Sequence, residues 1–367
     1  MQNQWTREMR MGLTPLFVVC VCFGSAARAE HDEQWRPIPG SAFGDGSAMK
    51  KGINGGYVSV NPVTGEAFVN IQERGFWRST DGGKTFVRLT EMEKVCAARC
   101  LPGPIDIGPD GKKIAVYNWA HGGHDVKGEA DRADHSICAY SLDSGQTWTP
   151  FGGPCGVGAG HQAGHGGGAM EPGAGTTMLI SFESSPTLQL STDLGKTWAS
   201  LDEKREGVFC LGVFSPSEFI LVRWNGIWRT GDAGKTWTQA SQIGFCGTRM
   251  IHGKDAAYLA SPKGLVASKD KGKTWDIQGV PPPSPVLGEF PFCRGADEGN
   301  FVVATRKGLA ETKDGGKSWT MVTPPLPQTD KDRSSGSIAF DPAHNVYYFS
   351  ACDHTGHCPM TFTPARN

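Results

Sequence analysis

The chain has 367 residues, of which 36 are Lys or Arg and 37 are Asp or Glu, so its formal net charge is −1. A chain this close to neutrality lacks the positive charge that attracts nucleic acid, and we expect no partner of that class. Its 50 glycines and 24 prolines indicate many turns, while helix signals are nearly absent.

The N-terminal residues 1–29 have the pattern of a secretory signal peptide. Arg7 and Arg10 precede a short apolar stretch that ends in Ala27-Arg28-Ala29, which is the order of a basic start, an apolar core and a small-residue cleavage site. The apolar stretch is too short to span a bilayer. We therefore predict a secreted or periplasmic protein without a transmembrane segment, whose single domain, residues 30–367, is a monomer.

Six copies of an eight-residue pattern, Ser/Thr-x-Asp-x-Gly-x-x-Trp/Phe, punctuate the chain. They cover residues 79–86, 141–148, 191–198, 230–237, 268–275 and 312–319. In a tight turn an Asp carboxylate accepts hydrogen bonds from backbone N–H groups, and a Gly supplies the positive φ that other residues disfavour. Six equivalent turns cannot all be active sites, so we interpret their aspartates as structural and not catalytic. These are Asp81, Asp143, Asp193, Asp232, Asp270 and Asp314.

From Ser79 through Trp319 the six copies make the chain resemble Asp-box (BNR) repeat β-propellers of the sialidase-like superfamily. The resemblance implies an all-β fold of four-stranded blades, in which the box joins the third and fourth strands away from the central pocket. Relatives of this kind include sialidases, xyloglucan-cleaving glycosidases, photosystem II assembly factors and sorting receptors. The resemblance therefore implies a fold, and it leaves the activity open.

The strand pattern around the repeats predicts seven blades. In the first unit, runs of strand-forming residues separated by turn signals cover residues 56–62, 67–72, 75–80 and 85–90. After the sixth repeat come three more such runs, at residues 337–340, 346–350 and 360–363. We predict that residues 34–38 supply the missing fourth strand and close the last blade. The alternative is a six-bladed propeller with the C-terminal segment as an appendage.

Two insertions enlarge the second and third repeat units. Residues 119–135 fall between the second and third strands of blade 2, and residues 152–168 lead into the first strand of blade 3. In propeller topology both kinds of loop emerge on one face of the disc, here called the top face. Insertions in repeat proteins often form the binding face. We expect the two insertions to be neighbours beside the central depression.

The insertions are rich in histidine and carboxylate residues, a composition suited to proton transfer or to a divalent metal. The predicted catalytic residues are His124, His165 and Glu183. The predicted metal ligands are His121 and His161. Further ligand contacts are predicted from top-face turns, where carboxylates and Arg would bond hydroxyls or uronates and an aromatic face would stack on a sugar ring. They are Glu73, Arg74, Asp125, Glu171, Arg223 and Trp224.

The sequence favours a secreted carbohydrate-active propeller that binds or cleaves a glycan near blades 1–4, as a glycoside hydrolase or a polysaccharide lyase. The alternative is a non-enzymatic propeller that binds a protein or glycan partner. Export also makes disulfide bonds plausible. The local pairs Cys96–Cys100, Cys138–Cys155 and Cys352–Cys358 are the predicted ones, although spacing alone does not determine connectivity.

Overall fold

The structure is a computed structural model. It describes residues 34–43, 56–71, 75–94, 103–117, 138–151, 168–181, 187–204, 207–244, 249–287, 292–295, 297–327, 336–351 and 360–364. These residues form seven four-stranded antiparallel sheets, as expected for a seven-bladed β-propeller. The predicted fold class is thereby confirmed, and the six-bladed alternative is wrong.

Six blades are each built from four consecutive strands. Blade 1 contains β2 (Tyr57–Val60), β3 (Ala67–Ile71), β4 (Gly75–Ser79) and β5 (Val87–Arg88). Blade 2 contains β6 (Ile105–Ile107), β7 (Ile114–Tyr117), β8 (Cys138–Ser141) and β9 (Thr149–Phe151). Blade 3 contains β10 (Gly168–Met170), β11 (Met178–Ile180), β12 (Thr187–Ser191) and β13 (Ala199–Lys204).

The next three blades follow the same order. Blade 4 contains β14 (Val208–Ser215), β15 (Glu218–Arg223), β16 (Gly226–Thr230) and β17 (Thr238–Ser241). Blade 5 contains β18 (Ile251–His252), β19 (Ala257–Ser261), β20 (Gly264–Ser268) and β21 (Asp276–Gln278). Blade 6 contains β22 (Cys293–Arg294), β23 (Phe301–Thr305), β24 (Gly308–Thr312) and β25 (Thr320–Met321).

Blade 7 combines strands from both ends of the described chain. Its strands are β26 (Gly336–Asp341), β27 (Val346–Ala351), β28 (Met360–Phe362) and β1 (Arg36–Pro37). β1 pairs antiparallel with β28, with Arg36 opposite Thr361. A 3-10 turn, η1 (Gly40–Ala42), and one helical turn, α1 (Thr90–Glu93), complete the regular structure of the described residues.

The ring closes through hydrophobic clusters between adjacent blades. Seven such clusters lie among the described residues, one at each blade junction. At the junction of blades 7 and 1, Ala339 and Tyr348 pack with Val58 and Val69. Each sheet thus buries apolar side chains of the described residues against both neighbouring blades.

The strand order defines an axis and two faces. First strands of neighbouring blades contact one another, as β2 does with β26 and β6, so the first strand of each blade lines the axis. The fourth strands are the most exposed. The six repeat turns, between third and fourth strands, define one face, here called the turn face. Connections between second and third strands, and between blades, lie at the opposite strand ends and form the top face.

In each repeat turn, the aspartate side chain accepts hydrogen bonds from other residues of the same turn. In the blade 3 turn, Asp193 Oδ1 accepts hydrogen bonds from Thr197 N at 2.9 Å and Ser191 Oγ at 2.8 Å, and Oδ2 accepts from Thr197 Oγ1 at 2.6 Å. The same three bonds recur in the other five turns. Hydrogen bonds from the Thr197 side chain and backbone lower the pKa of Asp193 to about 2. These carboxylates are therefore anions that hold the turn.

Two further predictions concern the cysteines and the membrane. Cys138, Cys210 and Cys293 are buried, and within the described ranges no two cysteines form a disulfide bond. At least one cysteine of each predicted pair lies outside those ranges, as does the predicted signal peptide, residues 1–29. In the described part of the chain, no helix is long and apolar enough to cross a membrane.

Candidate functional site

The top-face hairpin of blade 4 presents an exposed tryptophan. Trp224 lies at the tip between β15 and β16, and its relative exposure is 66%. The neighbouring Asn225 holds the tip in place, because its Oδ1 accepts a hydrogen bond from Trp228 Nε1 at 3.1 Å and its carbonyl accepts one from Gln239 Nε2 at 2.6 Å. Trp224 is thus a large apolar surface on a rigid turn.

A β-bulge brings a second aromatic ring to Trp224. The register between β14 and β15 shifts between Val208 and Cys210, so Phe209 is the extra residue of the bulged strand. The rings of Phe209 and Trp224 meet edge to face, with centroids 4.3 Å apart and an interplanar angle of 73°. Bulges often redirect a side chain near a functional site. Because Phe209 lies near the top-face end of β14 and Trp224 lies at a top-face hairpin tip, the pair, here called the aromatic platform, lies on the top face.

Arg223 ties the hairpin that carries Trp224 to blade 3. Its Nη2 lies 2.5 Å from Glu203 Oε1 and 2.6 Å from the Lys204 carbonyl, both in the outer strand of blade 3. The guanidinium charge is therefore neutralised within the protein. The sequence analysis predicted a ligand contact for Arg223, whereas the structure places it where it ties blade 4 to blade 3 and holds the hairpin that carries Trp224.

Glu171 lies on the other face of the disc. It follows β10 in the loop that leads to β11, where its Oε2 accepts a hydrogen bond from Thr177 N at 3.2 Å and its carbonyl accepts one from Lys113 Nζ at 2.8 Å. That loop contacts the repeat turn of its own blade through a Leu194 N–H···O=C Thr176 bond. The short strand β10 carries the chain across the sheet, which separates Glu171 from Trp224 although the sequence analysis grouped them.

The described residues that flank the two insertions meet at one junction. Tyr117 precedes the first insertion and Phe151 precedes the second, and their ring centroids are 5.8 Å apart. Cys138, which follows the first insertion, belongs to the same buried cluster between blades 2 and 3. Gly168, which ends the second, lies directly against the Tyr117 ring. Both insertions therefore begin and end at the top-face end of this junction.

Most of the predicted site residues lie outside the described residues. They are Glu73, Arg74, His121, His124, Asp125, His161, His165 and Glu183. The described strands on either side of Glu73 and Arg74, β3 and β4, meet at the same blade end as the strands that flank Trp224. Within the described ranges, no group of three His, Cys, Asp or Glu residues is arranged to hold a metal ion.

An ion pair at the axis was not predicted from the sequence. Arg249 precedes β18 of blade 5, and its Nη2 lies 2.9 Å from Oδ1 of Asp106 in β6 of blade 2. Its Nη1 lies 3.5 Å from Ser59 Oγ in β2 of blade 1. The pattern Ile105-Asp106-Ile107 does contain a signal, because both isoleucines are buried against blade 1 and the alternation turns Asp106 the other way.

Comparisons with known proteins place the chain among propellers. No family model and no curated protein matches it. Among solved structures it is similar to the GH74 enzyme of Niastella koreensis, at 13% identity and a TM-score of 0.54, over 87% of this chain and 53% of that one. It is also similar to the GH74 xyloglucanase of Xanthomonas campestris, at 18% identity and a TM-score of 0.51, over 89% and 53%.

The chain thus spans about half the length of these GH74 enzymes. A third similar structure is YCF48 from Cyanidioschyzon merolae, at 11% identity and a TM-score of 0.45, over 90% of this chain and 98% of that one. At identities of 13% and 18%, the similarity to the two GH74 enzymes shows a shared fold. A fold of this kind serves many activities, so function has to be argued from the site.

Proposed function

We propose that this protein binds a glycan on the top face of blades 1–4, with a sugar ring stacked on Trp224. The observation that carries the proposal is the aromatic platform, in which a Trp with 66% exposure is held on a rigid hairpin tip and supported edge to face by Phe209. An exposed indole offers a broad apolar face, which suits a ligand such as a sugar ring that is apolar on one side.

The location of the platform supports this reading. Trp224 lies on the face where both insertions begin and end, so an extended ligand stacked on it would pass toward blades 2 and 3. If the protein also cleaves its ligand, His124, His165 and Glu183 are the proposed acid and base groups, with Glu73 and Asp125 as further carboxylates. A divalent metal at His121 and His161 is a separate proposal within the same insertions.

The test is glycan-array screening followed by calorimetric titration of the wild type and of Trp224→Ala with the best-binding oligosaccharide. Loss of an aromatic anchor should weaken binding at least about tenfold. Val63→Ser is the matched control, because Val63 is equally exposed, at 65%, but belongs to a turn-face loop. Its affinity should equal that of the wild type. A reducing-end release assay on the same oligosaccharide distinguishes binding from cleavage.

Two results would contradict the proposal. One is the absence of any array hit for the wild type, and the other is equal affinity of the wild type and Trp224→Ala. The alternative is a propeller that binds a protein partner. It would be supported if a purified peptide or protein ligand binds in a Trp224-dependent way while no glycan does.

A further inference from the structure

We propose that the ion pair between Arg249 and Asp106 is a subsite for a neutral polyhydroxyl group, such as adjacent hydroxyls of a sugar ring, at the centre of the propeller. The inference rests on the proposed glycan function and extends it from the aromatic platform to the axis. It is argued from the geometry of the pair, from its exposure and from the charges around it.

The pair joins side chains that are remote in the chain and meet only at the axis. Arg249 comes from blade 5, while its partners Asp106 and Ser59 come from blades 2 and 1. The side chains of Arg249 and Asp106 are 24% and 30% exposed, so solvent reaches both. A small polar molecule that enters the axis would therefore meet a guanidinium and a carboxylate side by side.

The pairing leaves hydrogen-bonding capacity unused. An Arg–carboxylate pair is often bidentate, yet here Nη2 makes one bond of 2.9 Å to Oδ1, and the contact of Nη1 with Ser59 Oγ is long at 3.5 Å. Among the described residues, Oδ2 of Asp106 and Nε of Arg249 have no hydrogen-bond partner. One acceptor and several N–H donors are thus available to a ligand.

A purely structural role accounts poorly for the pair. Solvent reaches both side chains and screens part of their mutual attraction, which limits what the pair adds to stability. The seven hydrophobic clusters already close the ring at every blade junction. The pair therefore adds little to the stability of the ring. A ligand that needs both a hydrogen-bond donor and an acceptor, in contrast, finds both in this pair.

The local charge favours a neutral ligand. Arg249 and Asp106 cancel, and two ionisable neighbours carry no charge near neutral pH. Burial lowers the pKa of His252 below its usual 6.5, and burial raises the pKa of Cys293 to about 12. An anionic ligand attracted by Arg249 is repelled by Asp106 beside it, and the reverse holds for an amine, so neither gains a net attraction from the pair. A hydroxyl both donates and accepts, so adjacent hydroxyls can satisfy Asp106 and Arg249 together.

The experiment measures binding of glucose, galactose, xylose and glucuronate by saturation-transfer NMR and calorimetry. The full chain is compared with Asp106→Asn, Arg249→Met and Ser59→Ala. At least one neutral sugar should bind more tightly than glucuronate. Because hydrogen bonds to charged groups are the strong ones, Asp106→Asn and Arg249→Met should each weaken that binding at least about tenfold. Ser59→Ala should have a smaller effect, because its contact with Arg249 is already long.

Glu66→Gln is the matched control, since it removes the Glu66–Arg78 ion pair, which joins the residue before β3 to β4 of the same blade. It should leave sugar affinity unchanged. The inference is overturned if the wild type binds none of the four sugars at millimolar concentration, or if Asp106→Asn binds them as the wild type does. It is also overturned if glucuronate is the preferred ligand.

The outcomes separate this inference from the proposed function. If Trp224→Ala loses oligosaccharide binding while Asp106→Asn keeps both oligosaccharide and monosaccharide binding, the platform stands and the axial subsite is wrong. If Asp106→Asn loses monosaccharide binding while Trp224→Ala keeps oligosaccharide binding, the axial subsite stands and the platform is wrong. Thermal unfolding of each variant shows whether a loss of affinity reflects the site. If the unfolding midpoint is unchanged, the variant is folded, and the loss of affinity comes from the substituted side chain.

Discussion

The phenol ring of Tyr117 lies directly against the backbone of Gly168, so closely that a β-carbon at position 168 would fall on its Cε1 and Cζ atoms, 2.4 and 2.7 Å away. Tyr117 is the last described residue before the first insertion, and Gly168 is the last residue of the second. This one contact therefore joins the bases of both histidine-rich insertions at the junction of blades 2 and 3.

Gly168→Ala is expected to destabilise the protein by about 1–3 kcal/mol, because the added methyl group overpacks a buried junction. Urea unfolding of the single variant measures the loss. Tyr117→Leu shortens the side chain that the methyl group would meet, so the double variant Gly168→Ala/Tyr117→Leu should lose less than the sum of the two single losses. If the two losses in free energy of unfolding are strictly additive, the side chains at positions 117 and 168 do not clash.

Ser144→Gly is expected to stabilise the protein by up to about 1 kcal/mol, because Ser144 has a left-handed backbone with φ near 60°. The equivalent position in two other repeat turns is a glycine, Gly82 and Gly315. Urea unfolding checks the gain. The matched control is Gly145→Ala at the next position, where φ is 82° and a β-carbon would lie 3.1 Å from the Phe68 ring. That variant should be less stable than the wild type, and a stabilised one would contradict the argument.

Asp193→Asn is expected to lower stability at pH 6 and to have a smaller effect as the pH approaches 2. The pKa of Asp193 is about 2 in the folded protein, below its usual 3.8, so its contribution is complete above pH 3.8 and is lost as the pH falls toward 2. Urea midpoints of wild type and variant between pH 6 and pH 2 give the test. If the difference between the two midpoints stays constant over that range, the lowered pKa does not account for the role of Asp193. The control is Asp202→Asn, on the exposed strand β13.

Phe43→Ala is expected to cost about 3–5 kcal/mol, because the side chain is buried and stacks on Phe86 at 4.8 Å and edge-on against Trp77 at 5.2 Å. The same segment carries Trp35, which packs on Phe349 and Phe362 of blade 7. Residues 34–43 thus contact blades 7 and 1. Chemical unfolding measures the loss in free energy of unfolding. Phe43→Leu should lose less stability than Phe43→Ala. If Phe43→Ala is as stable as the wild type, blade 1 does not depend on this segment.

Much of the fold could be predicted from local signals. The repeat pattern gives each turn its own acceptor, donor and left-handed glycine, so the turns form wherever the pattern occurs, as the bonds of Asp193 illustrate. Strand runs around the turns then predict seven blades of four strands. Local signals were less accurate at strand ends. The fourth strand of blade 1, predicted over residues 85–90, is only Val87–Arg88 and is followed by the helical turn Thr90–Glu93.

The roles assigned to the candidate site residues stay predictions, and the structure locates only those that it describes. Trp224 could be identified because it stands at a turn equivalent in every blade, and the structure shows it exposed there. The role of Arg223 could not, since its partner Glu203 belongs to the neighbouring blade. The position of Glu171 relative to Trp224 also depends on the fold, because the three-residue strand β10 carries the chain across the sheet to the opposite face.

Sequence alone determined the features that depend on neighbours in the chain, namely the repeat turns, the alternating strands and hence the propeller. The closed ring decided the rest. Asp106 and Arg249 are 143 positions apart, and no periodicity connects them. They meet because seven blades packed side by side bring their first strands around one axis, and a pairing made across that axis exists only once the ring has closed.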